Sequence, residues 1–333
     1  MSKKKVFITQ AWLSSAVPHM KDYVAKLESL GCEVEVYPKA VIMPADELKK
    51  HVRGVYAHIC GTDGWTKDVM DAADSIKIIA RIGVGYDSVD IPAATARNIL
   101  VLTTPKEVIP PVVEYTITVM LAMSRRIVQN DKMVRTGEWV MKMGWSVFGK
   151  TLGIVGLGGI GKSVAKYARA LDMKVIAYDP VEDAAYAKQN GITYMPMHQL
   201  LRESDFVTLH MPRMESTLGL IGEKELAMMK PTAQLINTAR GGIVDEKALY
   251  NALKNKIIDS AAFDVFAKEP INRDNPLLEL ENMIFTPHSA GNSVEGMDAI
   301  VGRAVQNVVD VLEGKRPPEA NIRNPLVFEK MKL

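Results

Sequence analysis

The sequence has few cysteines, little excess charge and no long hydrophobic run. Its only two cysteines, Cys32 and Cys60, are too few for the disulfide framework of a secreted domain, so we expect a reducing compartment. Basic residues number 41 against 39 acidic ones, which gives no electrostatic reason to expect nucleic acid or an anionic membrane as a partner. No apolar run approaches the roughly 20 residues of a membrane span. The first ten residues lack the apolar stretch of an export signal, so we predict a cytoplasmic location.

What the chain does contain is enough apolar sequence for about two domains. It has 333 residues, of which 47% are hydrophobic. Short β-branched runs alternate with helical patterns between residues 6 and 81, and again between residues 151 and 285. They predict strands that include Phe206–Leu209, Gln234–Asn237 and Met283–Phe285, and helices that include Ser15–Leu30 and the segment capped by Asp245. This alternation predicts parallel sheets with helices on both faces. Between the two blocks, three prolines at 105–111 precede a single long helix that we predict over Val112–Thr136.

A glycine-rich turn follows the apolar run Leu152–Val155 and opens an amphipathic helix. It reads Gly156-Leu-Gly158-Gly-Ile-Gly161. In a strand–turn–helix context the first glycine allows the tight turn, the second lets the backbone approach a pyrophosphate, and the third lets helix and strand pack closely. Asp179 closes the next predicted strand, where an acid binds the adenosine ribose and would repel a 2′-phosphate. The sequence therefore favours NAD over NADP.

The same stretch also fits a second motif. Residues 156–163 read G-x-x-x-x-G-K-S, the phosphate loop of nucleoside triphosphatases, and the pattern alone does not separate the two interpretations. The three glycines at the dinucleotide spacing, together with Asp179, favour dinucleotide binding, and a phosphoryl-transfer enzyme is the alternative. A glycine turn without any ligand is disfavoured, because glycine at this density lowers stability unless a close approach is needed.

Three charged residues follow the ends of later predicted strands, where open α/β sheets place their ligands. Reduction of a 2-oxo acid needs a cation for the carboxylate, a proton donor for the oxygen and a group that keeps that donor protonated. Arg240 can supply the cation, His288 the proton and Glu269 the charge beside the imidazole. Singly, His288 is more often a turn residue and Glu269 a solvated acid, but their shared placement predicts a catalytic site. The other histidines have no zinc-ligand spacing, so we predict no metal.

The sequence resembles the family of D-isomer-specific 2-hydroxyacid dehydrogenases, which includes glyoxylate and hydroxypyruvate reductases, D-lactate dehydrogenases and phosphoglycerate dehydrogenases. The resemblance covers almost the whole chain. It rests on the motifs Arg81–Asp90, Thr151–Gly161, Leu209–Pro212, Asn237–Gly242, Phe263–Pro270 and Thr286–Gly291.

The resemblance implies two Rossmann-like, doubly wound parallel-sheet domains. An NAD-binding domain at 107–291 is expected to be inserted into a discontinuous substrate domain at 1–106 and 292–333, with the active site in the cleft. The implied catalytic residues are Arg240, Glu269 and His288. The residues implied to bind the cofactor are Val84, Gly156, Gly158, Gly159, Ile160, Gly161, Asp179, His210, Met211, Pro212, Thr217, Thr238, Ala239 and Asp264. The residues implied to bind the substrate are Arg81, Val84, Gly85 and Arg240.

We therefore predict an NAD-dependent oxidoreductase that transfers a hydride between nicotinamide and a small D-2-hydroxy acid or 2-oxo acid. The family implies a homodimer packed through its cofactor domains. One alternative is an NAD-sensing, corepressor-like binding protein of the same fold, and another is an enzyme of this fold acting on formate or phosphite. Phosphoglycerate is disfavoured as a substrate, because the family's phosphoglycerate enzymes usually carry an arginine near the position of Cys60.

Overall fold

The computed structural model describes residues 3–9, 17–38 and 43–331, and the chain divides into two compact units. The first unit comprises Met1–Val108 and Gly291–Leu333, and the second comprises Ile109–Ala290. The second unit is thus inserted into the first along the sequence. Each unit contains a parallel sheet flanked by helices, which confirms the predicted α/β class.

The first unit is built on a five-stranded parallel sheet with the order β2-β1-β3-β4-β5. Its inner strands β3 and β4 are buried along almost their whole length, because helices cover both faces of a parallel sheet. The strands are β1 (Lys4–Ile8), β2 (Cys32–Val36), β3 (Val55–Cys60), β4 (Ile78–Arg81) and β5 (Leu100–Leu102). The helices are α1 (Met20–Ser29), α2 (Ala45–His51), α3 (Lys67–Ala72), α4 (Ile91–Ala96), α12 (Val294–Leu312) and α13 (Pro325–Lys330).

The second unit contains a seven-stranded parallel sheet with the order β12-β11-β10-β9-β6-β7-β8. The strand order reverses beside β6, and such switch points are where doubly wound sheets bind ligands. The strands are β6 (Thr151–Val155), β7 (Lys174–Tyr178), β8 (Thr193–Tyr194), β9 (Phe206–Leu209), β10 (Gln234–Asn237), β11 (Ser260–Phe263) and β12 (Met283–Phe285). The helices are α5 (Ile109–Ser124), α6 (Ile127–Arg135), α7 (Gly159–Ala170), α8 (Ala184–Gln189), α9 (Met197–Glu203), α10 (Glu223–Met228) and α11 (Glu246–Lys254).

The prediction of one long helix over Val112–Thr136 is wrong, because the segment forms the two helices α5 and α6. Arg126, between them, has a left-handed backbone with φ of 55°. Its guanidinium binds both carboxylate oxygens of Asp259, at 2.6 and 2.7 Å. In a continued helix the Ser124 carbonyl would accept a backbone amide of the next turn. Here it instead accepts the Trp145 amide at 2.7 Å. Tertiary contacts therefore end α5 where the apolar periodicity alone would continue it.

Other boundaries follow the sequence pattern closely. The helix predicted after Asp245 begins at Glu246, and the Asp245 carboxylate caps it by accepting the amides of Lys247 and Ala248. The helix predicted over Ser15–Leu30 is observed as α1, and its predicted start lies outside the described residues. The short strands β5 and β8 were not predicted. None of the helices in the described residues combines the length and the apolar character that crossing a bilayer requires.

Candidate active site

The glycine-rich turn joins β6 to α7, and its three motif glycines have different surroundings. Gly156 has φ of 98°, and a Cβ there would lie 2.7 Å from the His210 carbonyl oxygen. A Cβ on Gly161 would lie 2.2 Å from the carbonyl oxygen of Gly156. A Cβ on Gly158, by contrast, would meet nothing within 4 Å. The fold itself thus requires the first and third glycines, whereas the second faces the open space that an approaching pyrophosphate needs.

The start of α7 offers unpaired donors. Within the described part of the chain, the amides of Gly159 and Ile160 donate to no acceptor, as expected in the first turn of a helix. Helix N-termini of this kind bind phosphate groups. Lys162, the lysine of the triphosphatase pattern, instead donates to Asp183 Oδ2 at 2.7 Å and lies over the Tyr186 ring. The geometry therefore fits a dinucleotide better than a triphosphate.

Asp179 follows β7 and binds two backbone amides. Its Oδ2 accepts the Leu157 amide at 2.8 Å, and its Oδ1 accepts the Val181 amide at 2.9 Å. The carboxylate is therefore fixed beside the glycine-rich turn. A carboxylate oxygen can accept more than one hydrogen bond, so both oxygens retain capacity for the hydroxyls of a ribose.

The segment after β9 carries four of the predicted cofactor-binding residues: His210, Met211, Pro212 and Thr217. The His210 Nε2 atom lies 3.0 Å from Thr208 Oγ1, while Nδ1 is buried without a hydrogen-bond partner among the described residues. Burial lowers the pKa of His210 to about 3, so its ring is neutral. The Thr217 hydroxyl donates to the Pro212 carbonyl at 2.9 Å and accepts the Met214 amide at 2.8 Å. Thr217 thus fixes the turn that carries Met211 and Pro212.

His288 and Glu269 form the central pair of the site. The His288 Nδ1 atom lies 2.7 Å from Glu269 Oε2, and Glu269 Oε1 accepts the Phe266 amide at 2.9 Å. Burial would raise the pKa of Glu269, but the hydrogen bond and charge of His288, the Phe266 amide and the Arg240 charge together lower it below its ordinary value. Glu269 is therefore an ionised hydrogen-bond partner of the His288 ring.

The segment that carries His288 is attached to Asp264, which is buried at the end of β11. The Asp264 carboxylate accepts the Thr286 hydroxyl at 2.7 Å and the Ser289 and Ala290 amides at 2.8 and 2.9 Å. The His288 amide donates to the Asp264 carbonyl at 2.8 Å, and His288 itself has φ of 54°. Asp264, predicted only as a residue near the cofactor, therefore also fixes the segment on both sides of His288.

The turn that carries Arg240 is stabilised by residues to which the sequence analysis gave no role. Asn237 donates from Nδ2 to the Arg240 carbonyl at 2.9 Å and accepts the Ala239 amide at 3.0 Å. A Cβ on Gly241 would lie 1.8 Å from the Phe266 carbonyl oxygen, so the Arg240 turn packs directly on the backbone before Glu269. The sequence signal for Asn237 and Gly241 was their place in the Asn237–Gly242 motif, which lies at the end of a strand and contains glycine. Thr238, the remaining residue of this turn, has its hydroxyl 2.8 Å from that of Thr116.

In the first unit, the predicted substrate-binding loop follows β4. Arg81 is buried and donates from Nε to the Gly85 carbonyl at 3.0 Å and from Nη1 to the Cys60 carbonyl at 3.3 Å. The half-buried Val84 and Gly85 have amides that donate to no acceptor within the described residues. Arg81 therefore binds the backbone of the loop, and the unpaired amides lie at its centre.

The structure also brings together three residues that could ligate a metal and that the sequence spacing did not reveal. His58, Cys60 and Asp63 are all buried, with their ligand atoms within 4.8 Å of one another. Both His58 ring nitrogens, however, lie at hydrogen-bond distance from other side chains, Trp65 and Thr9. Burial raises the pKa of the Cys60 thiol to about 12, which opposes the thiolate that a metal would need. The donor set is thus poorly suited to a metal ion.

Comparisons with known proteins agree with this geometry. Residues 117–290 match the family model described as "D-isomer specific 2-hydroxyacid dehydrogenase, NAD binding domain". The chain is 41% identical to a glyoxylate reductase of Korarchaeum cryptofilum over 263 residues, which are 77% of this chain and 79% of that protein. It is 40% identical to a D-3-phosphoglycerate dehydrogenase of Archaeoglobus fulgidus, over 90% of this chain but 57% of that protein.

A solved structure has the same fold over nearly the whole chain. The crystal structure of the TT0316 protein from Thermus thermophilus superposes with a TM-score of 0.87 at 34% identity, and covers 96% of this chain and 99% of that one.

Proposed function

The chain belongs to the family of D-isomer-specific 2-hydroxyacid dehydrogenases, and on that premise we propose that it reduces a small 2-oxo acid, with glyoxylate as the first candidate. The family match confirms the predicted NAD-dependent oxidoreductase and NAD as its cofactor. The corepressor-like alternative is not favoured, because the similar proteins are named as dehydrogenases and reductases. The observation that carries the proposal is the pair of His288 and Glu269, 2.7 Å apart, within the electrostatic influence of Arg240.

We propose a separate role for each member of this triad. NADH, when bound, supplies the hydride. Arg240 binds the substrate carboxylate through its guanidinium and so orients the carbonyl group. His288 donates its Nε2 proton to the carbonyl oxygen and becomes neutral. Glu269 accepts a hydrogen bond from the Nδ1–H of the ring throughout and stabilises the imidazolium by its negative charge before the transfer. In the oxidative direction His288 takes the hydroxyl proton.

We also propose which residues bind the two ligands. The second unit is the NAD-binding domain and the first is the substrate domain. The Gly159 and Ile160 amides bind the pyrophosphate, Asp179 binds the adenosine ribose, and the remaining predicted residues of the second unit surround the cofactor. In the first unit the Val84 and Gly85 amides bind the substrate carboxylate, with Val84 also near the cofactor.

Glyoxylate is preferred over a phosphorylated substrate for two reasons. Arg81, the candidate cation for a distal phosphate, is buried and donates to two backbone carbonyls. Cys60, where the family's phosphoglycerate enzymes usually have an arginine, is buried and uncharged.

The proposal is tested by following NADH oxidation with a panel of 2-oxo acids: glyoxylate, hydroxypyruvate, pyruvate, a branched 2-oxo acid, an aryl-pyruvate and phosphohydroxypyruvate. We expect the highest kcat/KM with glyoxylate or hydroxypyruvate and little use of NADPH. Efficient use of phosphohydroxypyruvate alone would reject the proposed substrate class. If no 2-oxo acid of the panel were turned over while NADH still bound, the result would favour the alternative of an NAD-sensing binding protein.

We further propose a homodimer and a cytoplasmic location. An apolar surface of the second unit supports the dimer, since Trp139 is 89% exposed and Met141 and Met143 are each 87% exposed, beside Val140 and Phe148. Exposed apolar groups at this density are typical of an interface. Light scattering should give twice the chain mass, and Trp139→Glu should give a monomer.

The proposed cytoplasmic location rests on the cysteines. The two buried, unpaired thiols of Cys32 and Cys60 are compatible with a reducing compartment.

A further inference from the structure

The proposed substrate loop, residues 82–88, is attached at both ends to a second segment, residues 60–65. At its start, the Ile82 amide donates to the Cys60 carbonyl at 2.8 Å. At its end, the Trp65 amide donates to the Ser88 carbonyl at 2.7 Å, and the Asp90 amide donates to the Trp65 carbonyl at 3.0 Å. The position of the loop, and of the unpaired amides at its centre, therefore depends on where segment 60–65 lies.

Trp65 connects segment 60–65 to the core of the first unit. Its side chain is fully buried, with 0% exposure, and its indole N–H donates to His58 Nδ1 at 3.0 Å. His58 lies in the buried strand β3 and stacks on the Phe7 ring at 5.0 Å. The indole is consequently fixed in rotation as well as in position, because a tilt of the ring would break the hydrogen bond.

The bond between Trp65 and His58 requires one particular tautomer, and two more side chains select it. The Thr9 hydroxyl donates to Asp63 Oδ2, and Asp63 Oδ1 accepts the Met43 amide at 3.1 Å. Since the one hydroxyl proton of Thr9 goes to the carboxylate, the Thr9 oxygen must accept from His58 Nε2, 3.2 Å away. The ring then carries its proton on Nε2 and leaves Nδ1 as the acceptor for the indole. Burial lowers the pKa of His58 to about 4, which keeps this neutral form at physiological pH.

We infer that Trp65 is a positioning residue for the substrate-binding loop, oriented by a directed chain of hydrogen bonds from Asp63 through Thr9 and His58. The inference rests on the proposed function in one respect, namely that residues 82–88 bind the substrate carboxylate. This role also accounts for a buried polar cluster that the hydride transfer does not use. The same cluster is poorly suited to a metal, because the chain of hydrogen bonds uses both nitrogens of His58.

The first test is Trp65→Phe, which removes the indole N–H and retains an aromatic ring. Loss of positioned amides weakens ground-state and transition-state binding of the carboxylate equally, so KM should rise while kcat is retained. We expect the KM for the 2-oxo acid to rise about tenfold, with kcat within about twofold and the Kd for NADH unchanged. Trp139→Phe, which keeps an apolar aromatic ring on the proposed dimer surface of the second unit, is the matched control and should leave all three unchanged. A fall in kcat with an unchanged KM would overturn the inference.

The second test separates positioning from general damage to the core. Thr9→Val removes the hydroxyl at nearly constant volume, whereas Thr9→Ser retains it. We expect Thr9→Val to reproduce the KM increase of Trp65→Phe and Thr9→Ser to restore a KM near that of the wild type. Equal KM values for the two Thr9 variants would show that the chain of hydrogen bonds does not orient the loop.

Amide hydrogen exchange tests the positioning role of Trp65 without relying on enzymatic turnover. Trp65→Phe and Thr9→Val should accelerate exchange in residues 82–90 about tenfold, with unchanged exchange in β3. Unchanged exchange in the loop would reject the positioning role. If the wild type turned over no 2-oxo acid, the proposed function would fail, and the exchange data would still decide whether Trp65 positions the loop.

Discussion

Glu269 uses its two carboxylate oxygens for two different partners: Oε1 accepts the Phe266 amide at 2.9 Å and Oε2 lies 2.7 Å from His288 Nδ1. The backbone contact fixes the rotation of the carboxylate. The hydrogen bond between His288 Nδ1–H and Glu269 leaves Nε2 for the substrate. One side chain therefore fixes both the orientation of the imidazole and the ring nitrogen that faces the substrate.

We predict that Glu269→Gln lowers kcat/KM for 2-oxo acid reduction by at least about tenfold. Reduction requires a protonated His288, and glutamine cannot stabilise the imidazolium by charge. The same substitution made in a His288→Ala background should have little further effect, because the two residues act as a unit. Steady-state kinetics with the 2-oxo acid measure both effects, and an undiminished kcat/KM for Glu269→Gln would contradict the role assigned to Glu269.

We predict that Gly241→Ala damages both stability and activity. The new Cβ would lie 1.8 Å from the Phe266 carbonyl oxygen, so the Arg240 turn must move away from the backbone that precedes Glu269. Overpacking of this kind costs about 1–3 kcal/mol of unfolding free energy. Denaturant unfolding and the KM for the 2-oxo acid report the two effects. Gly222→Ala is the control, since its Cβ would meet nothing nearer than the flexible Glu225 carboxylate at 3.4 Å.

We predict that Asp179→Asn weakens the preference for NADH over NADPH by about tenfold, equivalent to about 1.4 kcal/mol. Asparagine retains an acceptor for one of the two amides that Asp179 binds, but it removes the charge that would repel a 2′-phosphate. The ratio of kcat/KM values with the two cofactors measures the change. Asp183→Asn, at a carboxylate bound to Lys162, should leave the ratio near that of the wild type.

We predict that Asp205 stabilises the second unit in a pH-dependent way. Burial opposes its ionisation, but the Thr151 amide and the Lys230 ammonium, each at 2.9 Å, lower the pKa of Asp205 below its ordinary value. A lowered folded-state pKa means that the stabilisation is complete above the unfolded-state pKa, at about pH 4, and is lost as the pH falls through the folded-state value.

Asp205→Asn should therefore lower Tm at neutral pH, and the difference from the wild type should shrink below about pH 4. Thermal unfolding across this pH range measures it. Asp131→Asn removes an exposed helical pair with Arg135 and should leave Tm nearly unchanged at every pH. A Tm difference for Asp205→Asn that stays constant from neutral pH to well below about pH 4 would exclude this account.

The sequence alone determined the features that repeat locally along the chain. Continuous apolar runs predicted the buried strands, and the ends of β9, β10 and β12 were predicted at the observed residues. The glycine spacing at residues 156–161 predicted the turn, because positive φ and close packing leave glycine as the only suitable residue there. The strand-end positions of Arg240, Glu269 and His288 were likewise visible, since parallel strands present their carboxyl ends at one edge of a sheet.

The tertiary structure decided what depends on contacts distant in sequence. The break between α5 and α6 follows from the pair of Arg126 and Asp259, which no local periodicity encodes. The hydrogen bonds of Asp264 to the His288 segment and the packing of Gly241 on Phe266 join elements more than 20 residues apart. The chain from Asp63 through Thr9 and His58 to Trp65 joins the stretch 58–65 to Thr9, which lies 49 residues before His58. Hydrogen-bond direction and burial arise only when such stretches meet, so the sequence supplied the chemistry of these residues and the fold supplied their partners.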